Sequence, residues 1–191
     1  DPADPADESG PVLPAPADPP ADAPAGNGQA GASRPAGESE QIPILNWEQT
    51  LELVKRHKGR VVVVDLWSHH CPPCLRELPH FVALSKMDPG RVACLGVNLD
   101  YYGSSKEPPE SFRDGVRDTL KEHDADFVNV ISNVPATELV DRLGFAAVPA
   151  VFVFDREGNQ VKRFDNDNAG DEFTYEKDVV PFVESLLTDG S

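Results

Sequence analysis

Apolar residues follow two periodicities along the chain, and the change from one to the other marks the predicted elements. Val61 to Val64 form an apolar run without polar alternation, which predicts a strand over residues 61–67 that is buried on both faces. Shorter apolar runs predict four further strands, over residues 91–99, 127–131, 150–154 and 160–164. Between the last two strands, Asp155 to Asn159 has the composition of a hairpin turn.

Helical spacing of apolar residues separates these strands. One helix is predicted from just after Cys71 to about Met87, and Pro79 inside it should kink it. Another begins at Asn46 or Thr50 and runs to Lys58, and the remaining helices are predicted over residues 110–123, 135–144 and 175–187. The order of elements predicts an α/β fold, with a mixed central sheet covered by helices on both faces.

Composition divides the chain into two parts. Residues 1–41 are rich in Pro, Ala, Gly and acidic side chains, with hardly any large apolar ones, so we predict a disordered tail there. Residues 42–191 suffice for one domain. The net charge of −16 argues against nucleic acid and anionic membrane surfaces as partners.

The start of the chain suggests a location. It does not begin with Met, and a low-complexity tether often follows a cleaved export signal or a membrane anchor. No apolar run approaches the ~20 residues of a membrane span. We therefore expect an extracytoplasmic protein, periplasmic or anchored through a segment ahead of Asp1.

The sequence Cys71-Pro72-Pro73-Cys74 lies where the strand of residues 61–67 gives way to a helix. The N-terminal amides of that helix can stabilise a thiolate, and the two-residue spacing lets the second thiol resolve a mixed disulfide. A structural zinc site would need a second ligand pair, and Cys94 is the only other cysteine. The motif therefore predicts thiol–disulfide chemistry, with the redox-active disulfide as the only cofactor and no metal.

Two segments of the sequence are similar to a known family. Residues 63–74, Val-Val-Asp-Leu-Trp-Ser-His-His-Cys-Pro-Pro-Cys, resemble the active-site segment of thioredoxin-fold proteins. Residues 148–152, Val-Pro-Ala-Val-Phe, resemble the cis-proline segment of that family. The additional helix and strand around residues 107–132 are similar to the insertion of the TlpA/ResA branch, whose members are exported and often membrane-tethered.

The resemblance implies a role for each matching residue. Cys71 would be the attacking thiol, Cys74 the buried resolving thiol, and Asp65 the buried acid that exchanges a proton with Cys74. Pro149 would be cis and leave the Val148 backbone free to pair with a substrate strand. The other residues of the matched segment that we count as supporting are Trp67, His70, Pro72 and Pro73.

The resemblance also implies partners. These are protein thiols and disulfides, among them an apocytochrome or an upstream membrane reductant, and the expected protein is a monomeric reductant outside the cytoplasm.

The sequence departs from the family at two places near the motif. His70 stands where the family usually has Trp, and a histidine beside Cys71 can stabilise the thiolate. Gly96 stands two residues before Asn98, where thioredoxins commonly carry Lys. Without that charge, Asp65 should be protonated more readily. We predict that Cys94, in an apolar strand, is a core residue.

Two other functions remain open from the sequence. His69, His70, Cys71 and Cys74 together suit Cu or Zn, which would make the chain a chaperone-like metal-binding module on the same fold. Ser68-x-x-Cys71, with Arg76 nearby, matches the letters of a peroxiredoxin-type peroxidase.

Overall fold

The computed structural model describes residues 42–166 and 172–188. The predicted tail, residues 1–41, lies outside them. Within the described residues no helix is both long and apolar enough to cross a bilayer.

The described chain is built around one six-stranded mixed sheet in the order β1-β4-β3-β2-β5-β6. The central strand β2 runs parallel to β3 and antiparallel to β5. All seven residues of β2 are buried, as its apolar run predicted. The strands are β1 (Ile44–Leu45), β2 (Val61–Trp67), β3 (Val92–Asn98), β4 (Val128–Ser132), β5 (Ala150–Phe154) and β6 (Gln160–Phe164).

The helices connect these strands close to the predicted positions. Asn46 rather than Thr50 begins the first helix, because Asn46 and Gln49 cap it reciprocally. The Asn46 side chain accepts a hydrogen bond from the Gln49 amide at 2.8 Å, and the Gln49 side chain accepts one from the Asn46 amide at 2.9 Å. Gly144, at φ 70°, ends the fourth. The helices are α1 (Trp47–Arg56), α2 (Pro72–Met87), α3 (Arg113–Glu122, preceded by a 3₁₀ turn at Pro109–Phe112), α4 (Ala136–Leu143) and α5 (Val180–Thr188, preceded by a π-helical turn at Tyr175–Val179).

Helices cover both faces of the sheet, as predicted. Val61 and Val63 of β2 pack with residues of α2 and α5, such as Phe81. The alternate residues Val62 and Val64 pack in a second cluster with residues of α1 and α4. This alternation follows from the two-residue period of a strand. The arrangement is the thioredoxin fold, with α3 and β4 inserted between β3 and α4.

The sequence did not predict β1. Its two residues, Ile44 and Leu45, pair in parallel with Ile131 and Ser132 of β4. Arg113 Nε also donates to the Ile42 carbonyl at 3.1 Å. The start of the described chain is thus fixed to the inserted elements.

Candidate active site

Cys71 and Cys74 form a disulfide at the start of α2, with their Cα atoms 5.3 Å apart. Strand β2 ends at Trp67, and a short turn through His70 carries the chain to Cys71. Cys71 is 8% exposed and Cys74 is 3% exposed, so Cys71 is the more accessible residue of the pair. The structure therefore holds the predicted pair in its oxidised form.

The N-terminus of α2 is directed at the Cys71 sulfur. Cys71 is the N-cap residue, and the Cys74 amide donates to Cys71 Sγ at 3.2 Å. Pro72 and Pro73 occupy the first two helical positions, where proline is tolerated because those amides have no partner within the helix. Since proline has no N–H, Cys74 supplies the first amide of this helix.

The Val148–Pro149 peptide is cis, as the resemblance implied. The Val148 carbonyl oxygen lies 3.6 Å from Cys71 Sγ. A disulfide sulfur carries no hydrogen, so this is a packing contact in the oxidised form. The fold thus brings the predicted substrate-pairing residue against the predicted attacking sulfur, 77 positions away in sequence.

A cleft with a volume of about 530 Å³ opens beside Cys71. Its walls come from the loop after β3, from α4 and from the segment before Pro149. Most of the lining is apolar, and Tyr102 at its edge is 68% exposed. Residues of this lining include Cys71, Leu99, Tyr102, Ala136, Val140 and Val148.

Asp65 lies in the middle of β2, opposite Gly96 of β3 and Val151 of β5, and is 3% exposed. Its pKa is raised from 3.8 to about 8, chiefly because burial disfavours the charged form; the Tyr175 phenol lowers it in part, and the neighbouring Glu77 raises it. The shift has the predicted direction. Because of this shift, Asp65 can exchange a proton near neutral pH. The exchange with Cys74 itself stays a prediction.

Tyr175 is a neighbour of Asp65 that the sequence did not reveal. It is fully buried at the start of the last helical segment, and its amide donates to Glu77 Oε2 at 2.9 Å. By strict geometry neither Tyr175 Oη nor Asp65 Oδ1 has a hydrogen-bond partner, although the phenol lies close enough to lower the pKa of the carboxyl. A buried carboxyl without a full set of partners is expected to hold its proton.

Cys94 lies near the same group. It is a buried free thiol, as predicted for a core residue, and burial together with the nearby Asp65 raises its pKa. A thiol held protonated in this way is a poor nucleophile.

Gly96 is required where it lies. A Cβ atom there would collide with the Asn129 side chain of β4 and would lie 3.2 Å from Trp67 Nε1. The Asn129 side chain therefore fills a space beside β3, the strand that pairs with Asp65. A longer residue at position 96 would need that space. Trp67 itself is 2% exposed and packs with Cys71, Cys74 and Val116.

A second buried aspartate, Asp100, lies just beyond the end of β3 and was also missed. Its carboxylate accepts from Ser68 Oγ and from Asn98 Nδ2, the latter at 2.5 Å, and it contacts His69 Nδ1. Ser68 Oγ in turn accepts from the His70 amide at 3.0 Å. Through these hydrogen bonds, Asp100 fixes the turn that leads from β2 to Cys71.

The rings of His69 and His70 are in contact, with centroids 3.7 Å apart and planes tilted by 40°. His70 is exposed, whereas His69 is largely enclosed between Asp100 and Gly115 of α3. Among the described residues, donor atoms of His69, His70 and Asp100 all lie within 4.8 Å of one another. The structure thus groups the two histidines with Asp100, while the two cysteine sulfurs are bonded to each other.

The peroxidase hypothesis needs the Arg76 side chain beside Cys71, but that side chain belongs to an exposed ion pair. It is 62% exposed and lies 3.7 Å from Glu172. This geometry gives that hypothesis no support.

Comparison with known proteins agrees with the fold. Residues 29–179 match the Redoxin family. Three solved structures are similar: a secreted disulfide oxidoreductase of Mycobacterium tuberculosis homologous to E. coli DsbE (15% identity, 68% of this chain and 84% of that one, TM-score 0.50), a thiol-disulfide isomerase of Corynebacterium glutamicum (18%, 69% and 83%, TM-score 0.52), and a thiol:disulfide interchange protein of Chlorobium tepidum (19%, 69% and 83%, TM-score 0.51). The curated proteins contain no match to the chain.

The family match covers most of the chain, so the chain belongs to the Redoxin family. With a Cys71–Cys74 disulfide at the start of α2, it is a thioredoxin-like oxidoreductase.

Proposed function

We propose that this protein reduces disulfides of protein substrates outside the cytoplasm, through the Cys71–Cys74 dithiol. The observation that carries the proposal is the position of the disulfide, where the Cys74 amide of α2 donates to Cys71 Sγ. The same amide would stabilise the Cys71 thiolate after reduction.

The proposed reaction begins with the reduced protein. The Cys71 thiolate attacks one sulfur of a substrate disulfide and releases the other as a thiolate, which leaves a mixed disulfide. Cys74 then attacks Cys71 Sγ, releases the second substrate thiolate and closes the disulfide seen here. The substrate gains two electrons and the dithiol loses two. The proton of Cys74 passes to the ionised form of Asp65, which coexists with the protonated form around the pKa of about 8.

The prolines between the cysteines support the reducing direction. A strong oxidant of this kind owes its potential to a stabilised reduced form. Here Pro72 and Pro73 remove two N–H groups from the first turn of α2, and Cys74 supplies the first one. A less stabilised thiolate favours the disulfide form, which makes the dithiol a better reductant.

The surface around Cys71 supports a polypeptide substrate. Val148 presents its backbone beside Cys71 Sγ, where an extended segment can pair with it. The cleft next to the sulfur is mostly apolar, so it suits an aliphatic or aromatic side chain next to the substrate cysteine.

The proposed location rests on sequence features and on the solved structures. The inserted α3 and β4 resemble the insertion of the TlpA/ResA branch, and a secreted disulfide oxidoreductase is among the similar structures. An apocytochrome and an upstream membrane reductant are the partners that this branch implies. Detection of the full-length protein in the periplasmic or secreted fraction would test the location.

Insulin reduction tests the chemistry. Cys71→Ser should abolish turnover, and Cys74→Ser should accumulate a mixed disulfide with substrate that a non-reducing gel displays. Cys94→Ala is the matched control and should retain turnover, because that thiol is buried and protonated. Turnover that persists in Cys71→Ser would refute the mechanism.

Equilibration with glutathione tests the direction. We expect the Cys71–Cys74 couple to have a potential well below that of a strong oxidant, which is about −120 mV. A value near that limit would leave the thiol chemistry intact and overturn the reducing role.

A further inference from the structure

We propose that His69, His70 and Asp100 form a binding site for a divalent transition metal, Zn²⁺ or Cu²⁺, that does not use the two active-site thiols. Two imidazoles and one carboxylate are a donor set that such borderline ions prefer in proteins. Three protein ligands would leave room for water or another ligand on the ion.

The donor atoms are already gathered. Those of the three residues lie within 4.8 Å of one another, and the centroids of the His69 and His70 rings are 3.7 Å apart. His69 Nδ1 and Asp100 Oδ2 are in direct contact, so an ion would have to enter between them and replace that hydrogen bond. The His69 lone pair at Nδ1 would then bind the ion, and the proton held there would move to Nε2 or leave to water.

Contacts behind Asp100 fix its carboxylate in place. Ser68 Oγ donates to Oδ1 and Asn98 Nδ2 donates to Oδ2, and the Asp100 side chain is 1% exposed. Hydrogen bonds of this kind orient metal ligands. The carboxylate is therefore positioned before any ion arrives.

Gly115 fixes the His69 ring from the other side. A Cβ atom at position 115 would lie 2.9 Å from His69 Nε2, so only glycine leaves the ring its present place. Glycine in the middle of a helix is unfavourable by about 1 kcal/mol relative to alanine. Its presence inside α3 is thus accounted for by the space that the His69 ring occupies, with Nε2 toward α3 and Nδ1 toward Asp100.

His70 provides the way in. It is exposed, whereas His69 has a side chain that is 16% exposed and Asp100 is buried. An ion bound first by His70 at the surface can pass to the two enclosed donors with a rotation of the His70 side chain. The site would then close over the turn that precedes Cys71.

Titration of the oxidised full-length protein tests the site, because its Cys71 and Cys74 sulfurs are then unavailable as thiolates. Calorimetry with Zn²⁺ should show one equivalent bound at low micromolar concentration or below. With Cu²⁺, electron paramagnetic resonance should show two imidazole nitrogens in the wild type and one in His70→Ala. His70→Ala and Asp100→Asn should each weaken Zn²⁺ binding by about tenfold or more, whereas the control His80→Ala, an exposed histidine on α2, should leave it unchanged.

Gly115→Ala keeps all three donors and displaces only the His69 ring, so it should weaken binding while thermal melting shows a folded protein. Unchanged affinity in folded Gly115→Ala, or binding that appears only after the disulfide is reduced, would overturn the proposed site. If Asp100→Asn does not fold, the His70→Ala and Gly115→Ala proteins decide the outcome.

Discussion

Asp65 and Asp100 are each 3% exposed, yet their surroundings differ in almost every other respect. Asp65 lies inside β2 with one carboxyl oxygen that has no hydrogen-bond partner, and its pKa is raised to about 8. Asp100 lies past the end of β3 and is bonded to Ser68, His69 and Asn98. Equal burial thus produces one carboxyl that holds a proton and one that organises its neighbours.

The difference shows that hydrogen-bond partners, more than burial, decide what a buried carboxyl does. An acid with few partners is destabilised when it ionises, so it can exchange a proton near neutral pH. A carboxylate with several donors around it holds local structure in place and loses stability when one partner is removed. Three substitutions test this contrast.

The largest effect is expected from Asp65→Asn. In the wild type the unfolded chain ionises this carboxyl above its usual pKa of 3.8, whereas the folded chain keeps the proton until about pH 8. Folding stability contributed by Asp65 is therefore greatest below pH 3.8 and falls as the pH rises toward 8. At about 1.4 kcal/mol per pH unit, the wild type should lose about 4 kcal/mol of folding stability between about pH 5 and about pH 8. Asp65→Asn should not show this loss.

Urea unfolding at several pH values measures this effect. Asp126→Asn, at an exposed position, is the control and should follow the wild-type pH dependence. Parallel wild-type and Asp65→Asn curves would mean that Asp65 ionises normally in the folded protein.

A smaller effect of opposite sign is expected from Asp100→Asn. The amide group cannot accept at both positions, so the Asn98 Nδ2 or Ser68 Oγ donor would lose its partner. We expect a loss of about 2 kcal/mol in the free energy of unfolding at neutral pH, from one unsatisfied buried donor. Unfolding of Asp100→Asn and Asp126→Asn in parallel measures it, and equal stability of the two would show that the Asp100 network adds little.

The smallest effect is expected from Tyr175→Phe. The phenol lowers the pKa of Asp65 in part, so its removal should raise that pKa further and move the fall in stability to higher pH. At about pH 5 the change should be within about 1 kcal/mol, because Tyr175 Oη is buried without a partner. Carbon-13 NMR of the Asp65 carboxyl against pH, with Tyr101→Phe as the control, would reveal the shift; a lower pKa in Tyr175→Phe would contradict this account.

Elements with strong local signals could be predicted from the sequence. The valine run of β2 and the apolar spacing of α2 need no tertiary information. Gly144, at φ 70°, and Gly158, at φ 88° in the last hairpin, lie at turns with a left-handed backbone conformation, which favours glycine. The paired cysteines at the junction of strand and helix completed the fold assignment.

The parts that could not be predicted depend on residues far apart in sequence. Ser68 and Asp100 are 32 residues apart, and Tyr175 lies near Asp65 only through the tertiary fold. Asn129 fills the space at Gly96 because β4 pairs with β3, which the glycine alone does not indicate. Strand β1 has two residues, too few for any periodic pattern.

Short as it is, β1 changes how the sheet meets other molecules. Without it, β4 would present an open edge of unpaired amides and carbonyls, which can pair with another chain. With it, the described sheet is bounded by a strand of two residues on one side and by β6, which carries the charged Lys162 and Arg163, on the other. Short and charged edge strands resist extension by a second copy, so both edges of the described sheet disfavour strand pairing between molecules.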